Sequence, residues 1–399
     1  MLNLKHNGFT ITYDFQHKLL RDVEDSGGNL ANTLDKLGIS YDDLVYKNTR
    51  ELVWRGGLPL SLDDLRKNKN HIPFVSFFTG CGGMDLGFES AGFEHIAAFE
   101  FNELFCKTLR KNRPDWDIFG PPIHNGDVSK TEEIVSVLEK KISKPFDGIF
   151  IGGPPCQPFS IASNQRFSKS EDNFKRIGFK HEKNGNLLLK YVELIIEFQP
   201  KVFVIENVSG LRDLDGGEQL SSVIRMLKNK GYNVEIPFVL DAADYGVPQH
   251  RLRLFVIGSR TNKSFKIPEK HSKKIGAGSV LLNVPLSVSN HETRQHNASS
   301  LLRYMCLDYG ARDQLGRVDR LNPIAPSKTV IAGGTNGGGR SHLHPDIPRT
   351  LSVRESARLQ TFPDEYVFVG PTARQFTQVG NAVPPVLAAQ IANKIKSIF

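Results

Sequence analysis

Short apolar runs alternate with amphipathic segments between residues 71 and 260. Six runs have the length and composition of buried strands: IPFVSFF (72–78), HIAAFEF (95–101), FDGIFIGG (146–153), KVFVIENV (201–208), VEIPFVLDA (234–242) and RLRLFVIGS (251–259). Three segments between them, ELFCKTLRKN, LLLKYVELIIEF and SVIRMLKNKG, repeat apolar residues at helical spacing. This alternation predicts an α/β domain with a doubly wound, largely parallel sheet. Such sheets bind ligands at the carboxyl ends of their strands.

The segments on either side of this region differ from it in composition and in hydrophobic pattern. Residues 1–70 are polar, with short helical patterns at LANTLDKLGI and YDDLVYKN, and we interpret them as an extension, either a helical addition or a binding arm. After Ser259 a stretch rich in Lys, Ser, Asn and Gly predicts a second, smaller and irregular domain. The apolar end VPPVLAAQIANKIKSIF predicts a last helix packed on the sheet. The predicted division is an extension at 1–70, a sheet domain at 71–259 plus 375–399, an irregular domain at 260–349 and a joining segment at 350–374.

Charge adds a candidate partner to this picture. The net charge is +8, and the segment from Arg260 to Arg349 holds 14 Lys/Arg against 6 Asp/Glu, so the rest of the chain is neutral. A basic segment on a neutral body is typical of a nucleic-acid footprint, and a solvated, Lys-rich surface is the alternative. The sequence shows neither a long apolar run nor a signal peptide, so we expect a location inside the cell and no membrane.

The cysteine of GGPPCQPFS (152–160) follows two prolines at the end of an apolar run. The four cysteines of the chain are scattered without a CxxC pair, which argues against a disulfide framework or a zinc site, and we expect no metal. The prolines stiffen the loop, and a stiff loop at the end of a strand exposes Cys156 as a nucleophile would require. A buried thiol that only packs is the alternative, which the polar neighbours Gln157 and Ser160 disfavour.

Two other strand ends carry charged residues. Glu206 follows the buried run VFVI, where burial would raise the pKa of its carboxyl and keep a proton available. Arg251 and Arg253 alternate at the start of a strand and so share one face. For Glu206 the plain alternatives are a helix cap or an ion-pair partner, and for the two arginines the alternative is a solvated edge. Together with Cys156, these residues suit covalent attack on an electron-poor ring that Glu206 protonates and the arginines hold.

The loop FTGCGGMDLGF (78–88) joins a predicted strand to a predicted helix. Its glycines allow close approach to a ligand, but Asp85 stands where a dinucleotide fingerprint has its third glycine. Glu100 lies 20 residues after Gly80, at the spacing of a ribose-binding carboxylate. The pattern therefore predicts a cofactor with an adenosine ribose but without the pyrophosphate of NAD. Asp127 is either a reader of the adenine edge or a turn residue.

Six segments, in this order, resemble the motifs of DNA (cytosine-5)-methyltransferases: FTGCGGMDLGF, PPCQPFS, ENV, DYGVPQHRLRLFVIG, RESARLQTFPD and QVGNAVPP. The resemblance covers about 71–260 and 350–399. It implies a Rossmann-like methyltransferase fold, with residues 260–349 in the place of the target recognition domain. It also implies S-adenosyl-L-methionine as the methyl donor and double-stranded DNA as the substrate.

The same resemblance assigns residue roles. Cys156 would attack C6 of a cytosine, Glu206 would contact N3 and the amino group, and Arg251 and Arg253 would support the ring and the catalytic loop. The implied cofactor-binding residues are Phe78, Gly80, Gly82, Gly83, Met84, Glu100, Asp127, Pro154, Asn381 and Val383. The implied DNA-binding residues, in the loop that closes on DNA, are Gln157, Ser160 and Arg166.

The resemblance further suggests a bacterial or phage enzyme of the restriction-modification type. We expect a monomer in the cytoplasm, working beside a cognate restriction endonuclease. Two alternatives keep the fold: a tRNA cytosine-5 methyltransferase, and an inactive homologue that only binds DNA. The first usually has a Cys-Phe-Thr tripeptide, which is absent here, and the second usually lacks the cysteine or the glutamate, which are both present.

Overall fold

The computed structural model describes residues 5–6, 9–49, 60–155, 185–282, 284–332 and 341–399. Within this part of the chain the strands are β1 Lys5–His6, β2 Phe9–Thr10, β3 Pro73–Phe77, β4 Glu94–Phe99, β5 Ile118–Phe119, β6 Ile149–Gly152, β7 Val202–Val208, β8 Asn233–Val234, β9 Phe238–Asp241, β10 Leu252–Ser259, β11 Arg312–Asp313, β12 Val318–Arg320 and β13 His342–Leu343. The helices are Tyr13–Asp25, Leu30–Lys36, Gly83–Ser90, Glu103–Asn112, Thr131–Leu138, Gly185–Phe198, Glu218–Asn229, Gly278–Leu281, Ala298–Tyr304, Val353–Leu359, Thr372–Asn381 and Pro385–Ile395. None of these helices is both long and apolar enough to cross a membrane.

The chain divides into two compact units. The sheet unit comprises Leu60–Tyr245, Arg251–His271 and Ala382–Phe399. The second unit comprises Met1–Pro59, Gly246–His250 and Ser272–Asn381. The structure thus groups residues 1–59 with most of the basic segment, and it groups residues 260–271 with the sheet.

The sheet unit has the strand order β5-β4-β3-β6-β7-β10-β8, with β9 also paired to β10. β5, β4, β3, β6 and β7 are parallel, whereas β10 runs antiparallel to β7. The predicted doubly wound, largely parallel sheet is confirmed. Because β10 is reversed, its beginning lies at the edge where the parallel strands end, and this edge collects the side chains described below.

One predicted strand is interrupted. The segment VEIPFVLDA forms two short strands, β8 and β9, and Ile236 between them is exposed. Pro237 has no backbone N–H to donate, so it does not suit the interior of a paired strand. The prediction of a single strand there was wrong for this reason.

The last helix, Pro385–Ile395, packs against the helix Gly83–Ser90 that follows the glycine loop. A Cβ atom added to Gly87 would lie 2.5 Å from Cβ of Ala388 and 2.6 Å from the carbonyl oxygen of Pro385. The two helices can approach this closely only because residue 87 is glycine. The last helix therefore supports the helix that follows the glycine loop.

The second unit contains the small sheet β11-β12-β13 and a core to which both ends of its sequence contribute. The predicted pattern LANTLDKLGI forms the helix Leu30–Lys36, but YDDLVYKN forms only one 3₁₀ turn at Tyr41–Asp43. Leu44 and Tyr46 are buried, so this stretch follows the alternate burial of an extended chain rather than a helix. The helix Tyr13–Asp25 was not predicted; Thr12 caps it by accepting a hydrogen bond from the Phe15 N–H.

Candidate active site

The glycine loop follows β3, and three of its residues have left-handed backbone conformations. Phe78, Gly80 and Gly82 have φ angles of 54°, 61° and 80°. Glycine adopts such angles at little cost, whereas they are uncommon for phenylalanine. Gly82 caps the helix that begins at Gly83, and the buried Met84 lies in its first turn. The backbone of this loop is therefore shaped to approach a ligand at a helix N-terminus.

Glu100 lies one residue beyond the end of β4, beside this loop. Its Oε2 accepts the backbone N–H of Gly80 and its Oε1 accepts that of Asn102, both at 2.7 Å. Burial raises the pKa of Glu100 to about 7, although these backbone hydrogen bonds favour the ionised form. The predicted proximity of Glu100 to the glycine loop is thus present as a direct contact.

The segment 120–127 passes close to the main chain of Glu100. A Cβ atom added to Gly120 or Gly126 would come within 2.2 and 2.1 Å of the Glu100 carbonyl oxygen. The same carbonyl accepts the thiol of Cys106 at 3.2 Å, and burial raises the pKa of Cys106 to about 12. Cys106 therefore stays a thiol that packs, which is a poor nucleophile.

Asp127 follows Gly126 in a tight turn. Its Oδ1 accepts the N–H of Ser129 at 2.9 Å, and its own N–H donates to Asn125 Oδ1 at 2.8 Å. Asp127 is therefore a turn residue, which is one of the two interpretations that the sequence left open. That Asp127 also contacts the edge of an adenine stays a prediction.

Sequence reasoning did not single out Phe101. This side chain is 68% exposed although it follows β4 and the buried Glu100 directly. An exposed aromatic ring next to a buried carboxyl offers a flat apolar surface to a ligand. The signal was present in the sequence, as an aromatic residue directly after a carboxylate that follows a predicted buried run.

The glycine loop with Glu100 is one centre of the candidate site. Glu206, on β7, forms a second centre. The residue is 9% exposed, and its Oε1 lies 2.9 Å from Nε of Arg253. Phe255 of β10 is paired with Glu206, so Arg253, two residues earlier, is its diagonal neighbour on the same face. Burial raises the pKa of Glu206, and the charges of Arg253 and Arg251 offset part of this rise.

Arg251 directly precedes β10 and is 1% exposed. Its backbone N–H donates to Asp241 Oδ1 at 3.0 Å. Burial and the charge of Arg253 lower the pKa of Arg251, whereas Glu206 raises it. An arginine this deeply buried is not the solvated edge residue that the sequence left as an alternative.

The loop after β6 meets Glu206 through its backbone. A Cβ atom added to Gly153 would lie 2.8 Å from Glu206 Oε2. The Pro154 carbonyl accepts Nδ2 of Asn207 at 3.3 Å. The Glu206 carboxylate therefore lies between the Gly153 backbone and the Arg253 guanidinium, and Asn207 holds the loop that leads to Cys156.

These two centres lie on one edge of one sheet, and comparisons with known proteins identify the family to which they belong. A model of the C-5 cytosine-specific DNA methylases matches residues 72–397. The chain belongs to this family. It is therefore a DNA cytosine-5 methyltransferase, from a family that depends on S-adenosylmethionine.

The relatives of this methyltransferase are similar over most of their length. The Type II methyltransferase M.NgoFVII of Neisseria gonorrhoeae is 32% identical over 86% of this chain and 91% of its own. M.Eco47II of Escherichia coli is 30% identical over 84% of this chain and 81% of its own. Among solved structures, a chain encoded in an E. coli prophage gives a TM-score of 0.65 at 23% identity, over 82% of this chain and 99% of its own. The S. pombe Dnmt2 structure gives 0.56 at 16% identity, over 82% and 99%. At these identities the two structures show the shared fold alone.

Several predicted residues of the methyltransferase lie outside the described residues, and two others fall on either side of a sequence boundary between the units. Cys156, Gln157, Ser160 and Arg166 fall in the first group. Asn381 ends the helix Thr372–Asn381 of the second unit, while the buried Val383 belongs to the sheet unit. The assignments of these residues to catalysis, DNA contact and cofactor binding stay predictions.

Proposed function

We propose that this enzyme transfers a methyl group from S-adenosylmethionine to C5 of a flipped-out cytosine, in a specific duplex sequence, through a covalent bond between Cys156 and C6. The observation that supports this most is the buried Glu206 carboxyl, held by Arg253 against the Gly153 backbone, three residues before Cys156. A protonatable carboxyl beside a nucleophile is what addition to a pyrimidine ring requires.

The chemical roles follow from this arrangement. The Cys156 thiolate adds to C6, and the electron pair of the C5–C6 double bond shifts through the ring to N3, which takes a proton from Glu206. Arg253 orients Glu206 for this donation, and the raised pKa of Glu206 keeps the proton available. After N3 returns its proton and C5 has gained the methyl group, loss of the C5 proton supplies the electron pair that expels the thiolate.

The residues around the glycine loop fit an adenosine-containing cofactor. The Glu100 carboxylate, held by two backbone N–H groups, would accept the ribose hydroxyls, and Phe101 and Phe78 would lie against the base. Gly80, Gly82 and the start of the helix at Gly83 would leave room for the rest of the molecule. S-adenosylmethionine supplies the methyl group as an electrophile at its sulfonium centre.

Duplex DNA would be held by the basic segment and by the loop that includes Gln157, Ser160 and Arg166. Part of the charge of the segment is not available for DNA, because Arg320 and Arg349 are buried. Lysines and arginines that are exposed remain, among them Lys263, Lys266, Lys273, Arg294 and Arg317. Extrusion of a base costs a few kcal/mol, which phosphate contacts would offset.

The relatives named above are Type II methyltransferases of bacteria. We therefore propose that this enzyme protects host DNA as the modification half of a restriction-modification system, beside a cognate endonuclease. In that setting it would act as a monomer in the cytoplasm, where the DNA is.

Incorporation of labelled methyl groups from S-adenosylmethionine into duplex DNA and into tRNA tests the proposal directly. We expect incorporation into DNA only; transfer to tRNA alone would overturn it. Bisulfite sequencing of DNA from cells that express the protein then gives the recognition sequence.

Cys156→Ser should abolish turnover and leave DNA binding intact. Cys306→Ser is the matched control, because Cys306 is an exposed thiol of the second unit. Undiminished methylation by Cys156→Ser would refute the covalent mechanism.

A further inference from the structure

The N-terminal residues 12–49 fold into the second unit together with the segment 296–350. Their shared core contains Leu20, Leu34, Leu301, Met305 and Leu343, all at most 1% exposed. The helix Tyr13–Asp25 lies against the helix Ala298–Tyr304. The N-terminal segment is thus one layer of this core.

Polar contacts fix the register of this layer. The Gln16 side chain is fully buried and exchanges hydrogen bonds with the Val45 backbone, at 2.7 and 2.9 Å. The Tyr41 hydroxyl donates to the carbonyl of His296 at 3.0 Å, and the Tyr46 hydroxyl donates to that of His344 at 2.8 Å. Buried polar groups tolerate few alternative arrangements, so these contacts specify one position.

Arg320, at the end of β12, is stacked between two tyrosine rings. Its guanidinium carbon lies 3.6 Å from the ring centre of Tyr46 and 3.9 Å from that of Tyr309. It donates to the carbonyls of Pro345, Leu307 and Asn48 at 2.7 to 3.0 Å. A fully buried guanidinium needs such partners, and the N-terminal segment supplies the Tyr46 ring and the Asn48 carbonyl.

Arg349 provides a second attachment. It pairs with Asp42 at 2.7 Å and with both oxygens of Glu355 at 2.9 Å. Burial opposes ionisation of Glu355, but the hydrogen bonds and charge of Arg349 outweigh it and lower the pKa of Glu355 to about 2. Asp42 therefore completes a charged cluster that joins the N-terminal segment to the end of the basic segment.

β11 and β12 form a hairpin whose tip is open to solvent. Gln314 and Arg317 are exposed, and Leu315 is 76% exposed. The Gly316 N–H donates to Asp313 Oδ2 at 2.6 Å, which closes the turn. A glutamine, an arginine and an apolar side chain are types that read base edges in the major groove.

We propose that residues 12–49 are positioning elements of target recognition: through Tyr46 and Asp42 they hold β12 and Arg349, and the hairpin Arg312–Arg320 presents Gln314, Leu315 and Arg317 to duplex DNA. This inference rests on the proposed function. The N-terminal segment thereby acts on the choice of DNA rather than on the chemistry of methyl transfer.

The test compares kcat/KM for the methylated sequence with that for single-base variants of it, and measures the affinity for S-adenosylmethionine. Arg317→Ala should lower kcat/KM on the correct sequence about 10- to 100-fold, with cofactor affinity unchanged. Arg66→Ala is the control, since Arg66 is an exposed cation outside residues 12–49 and outside the hairpin. It should behave as the wild type.

Tyr46→Leu removes the ring under Arg320, whereas Tyr46→Phe keeps it. We expect Tyr46→Leu to reduce discrimination between sequences at unchanged cofactor affinity, and Tyr46→Phe to preserve discrimination. Wild-type discrimination in both Arg317→Ala and Leu315→Ala would overturn the hairpin's role. Wild-type discrimination in Tyr46→Leu would overturn the role of the N-terminal segment. A wild-type protein that methylates no DNA would instead overturn the proposed function.

Discussion

Glu206 and Arg253 form an ion pair of 2.9 Å across two antiparallel strands, at the edge where the parallel strands end. The pair has a chemical consequence, because it balances two opposite influences on one carboxyl. Burial favours the protonated form of Glu206, and Arg253 favours the ionised form. Arg253 thereby orients the carboxyl, while burial still raises the pKa of Glu206 above its ordinary value.

Replacement of Arg253 separates these two effects. In Arg253→Ala the pKa of Glu206 should rise further, since the largest opposing charge is lost. If the protonated carboxyl acts in catalysis, the alkaline limb of the pH–rate profile moves to higher pH, while the maximal rate falls about 100-fold through lost orientation. Single-turnover methyl transfer across the pH range measures both. Arg253→Lys should restore part of the pH profile, and an unmoved alkaline limb in Arg253→Ala would count against Glu206 as the proton donor.

Gly153→Ala should displace the Glu206 carboxylate without destabilising the fold. The added methyl group would meet Glu206 Oε2, the end of a flexible side chain, so the carboxylate must move. We expect a fall in kcat of about 100-fold with a nearly unchanged free energy of unfolding.

Gly152→Ala is the matched comparison one residue earlier. Its methyl group would meet the ring of the fully buried Tyr191 at 2.8 Å. That variant should lose stability, by about 1–3 kcal/mol. Denaturant unfolding and methyl transfer, measured for both variants, distinguish the two effects; equal activity of Gly153→Ala and the wild type would remove Glu206 from the mechanism.

The sheet and its functional edge could be predicted because each depends on local pattern. Buried apolar runs predict parallel strands. The residues that follow these runs must lie at the same edge of the sheet, as Glu100 and Glu206 do. The contact between Glu206 and Arg253 could not be predicted, since it requires the reversed direction and the register of β10. Neither property is encoded within the run itself.

The second unit was less predictable for a related reason. Its core joins residues such as Leu20 and Leu301, which are 281 positions apart in the sequence, and no local pattern encodes which distant segment each of them contacts. The buried residues of the helix Tyr13–Asp25 are the polar Gln16 and only two apolar residues, Leu20 and Val23. From the sequence alone, Arg320 and Arg349 would be expected at the surface, because arginine is rarely buried unless it is paired.

Glu100 should make cofactor affinity depend on pH. Its pKa is raised from 4.5 to about 7, so between these values the folded protein binds a proton that the unfolded chain has lost. The contribution of Glu100 to the free energy of unfolding therefore falls as pH rises from 4.5 to 7. An ionised carboxylate accepts the ribose hydroxyls better, so cofactor affinity should rise over the same interval and level off above it.

Glu100→Gln tests this dependence. A glutamine can accept only one of the N–H groups of Gly80 and Asn102, because its other end is a donor. The variant should lose about 1–3 kcal/mol of stability, bind S-adenosylmethionine more weakly, and lack the pH dependence due to residue 100. Calorimetric titration of both proteins with the same ligand cancels the titration of the ligand itself. An identical pH dependence in the two proteins would show that Glu100 does not control cofactor affinity.

The pair Asp85 and His95 should stabilise the helix that follows the glycine loop. Asp85 Oδ1 lies 3.4 Å from His95 Nε2, with both side chains at most 3% exposed. The imidazole is stacked on Trp116 with ring centres 4.2 Å apart. Among the described residues the Asp85 carboxyl has no hydrogen-bond partner, so the nearby His95 Nε2 is the polar atom that offsets its burial.

Removal of one partner should therefore be costly. His95→Phe removes this polar neighbour from a buried carboxyl and should lower the free energy of unfolding by about 1–3 kcal/mol. Asp85→Asn replaces the acidic group, so the double variant should lose less stability than the sum of the single variants. Because Asp85 also raises the pKa of Glu100, Asp85→Asn should shift the pH dependence of cofactor binding to lower pH. Additive losses in denaturant unfolding would show that the two side chains do not interact.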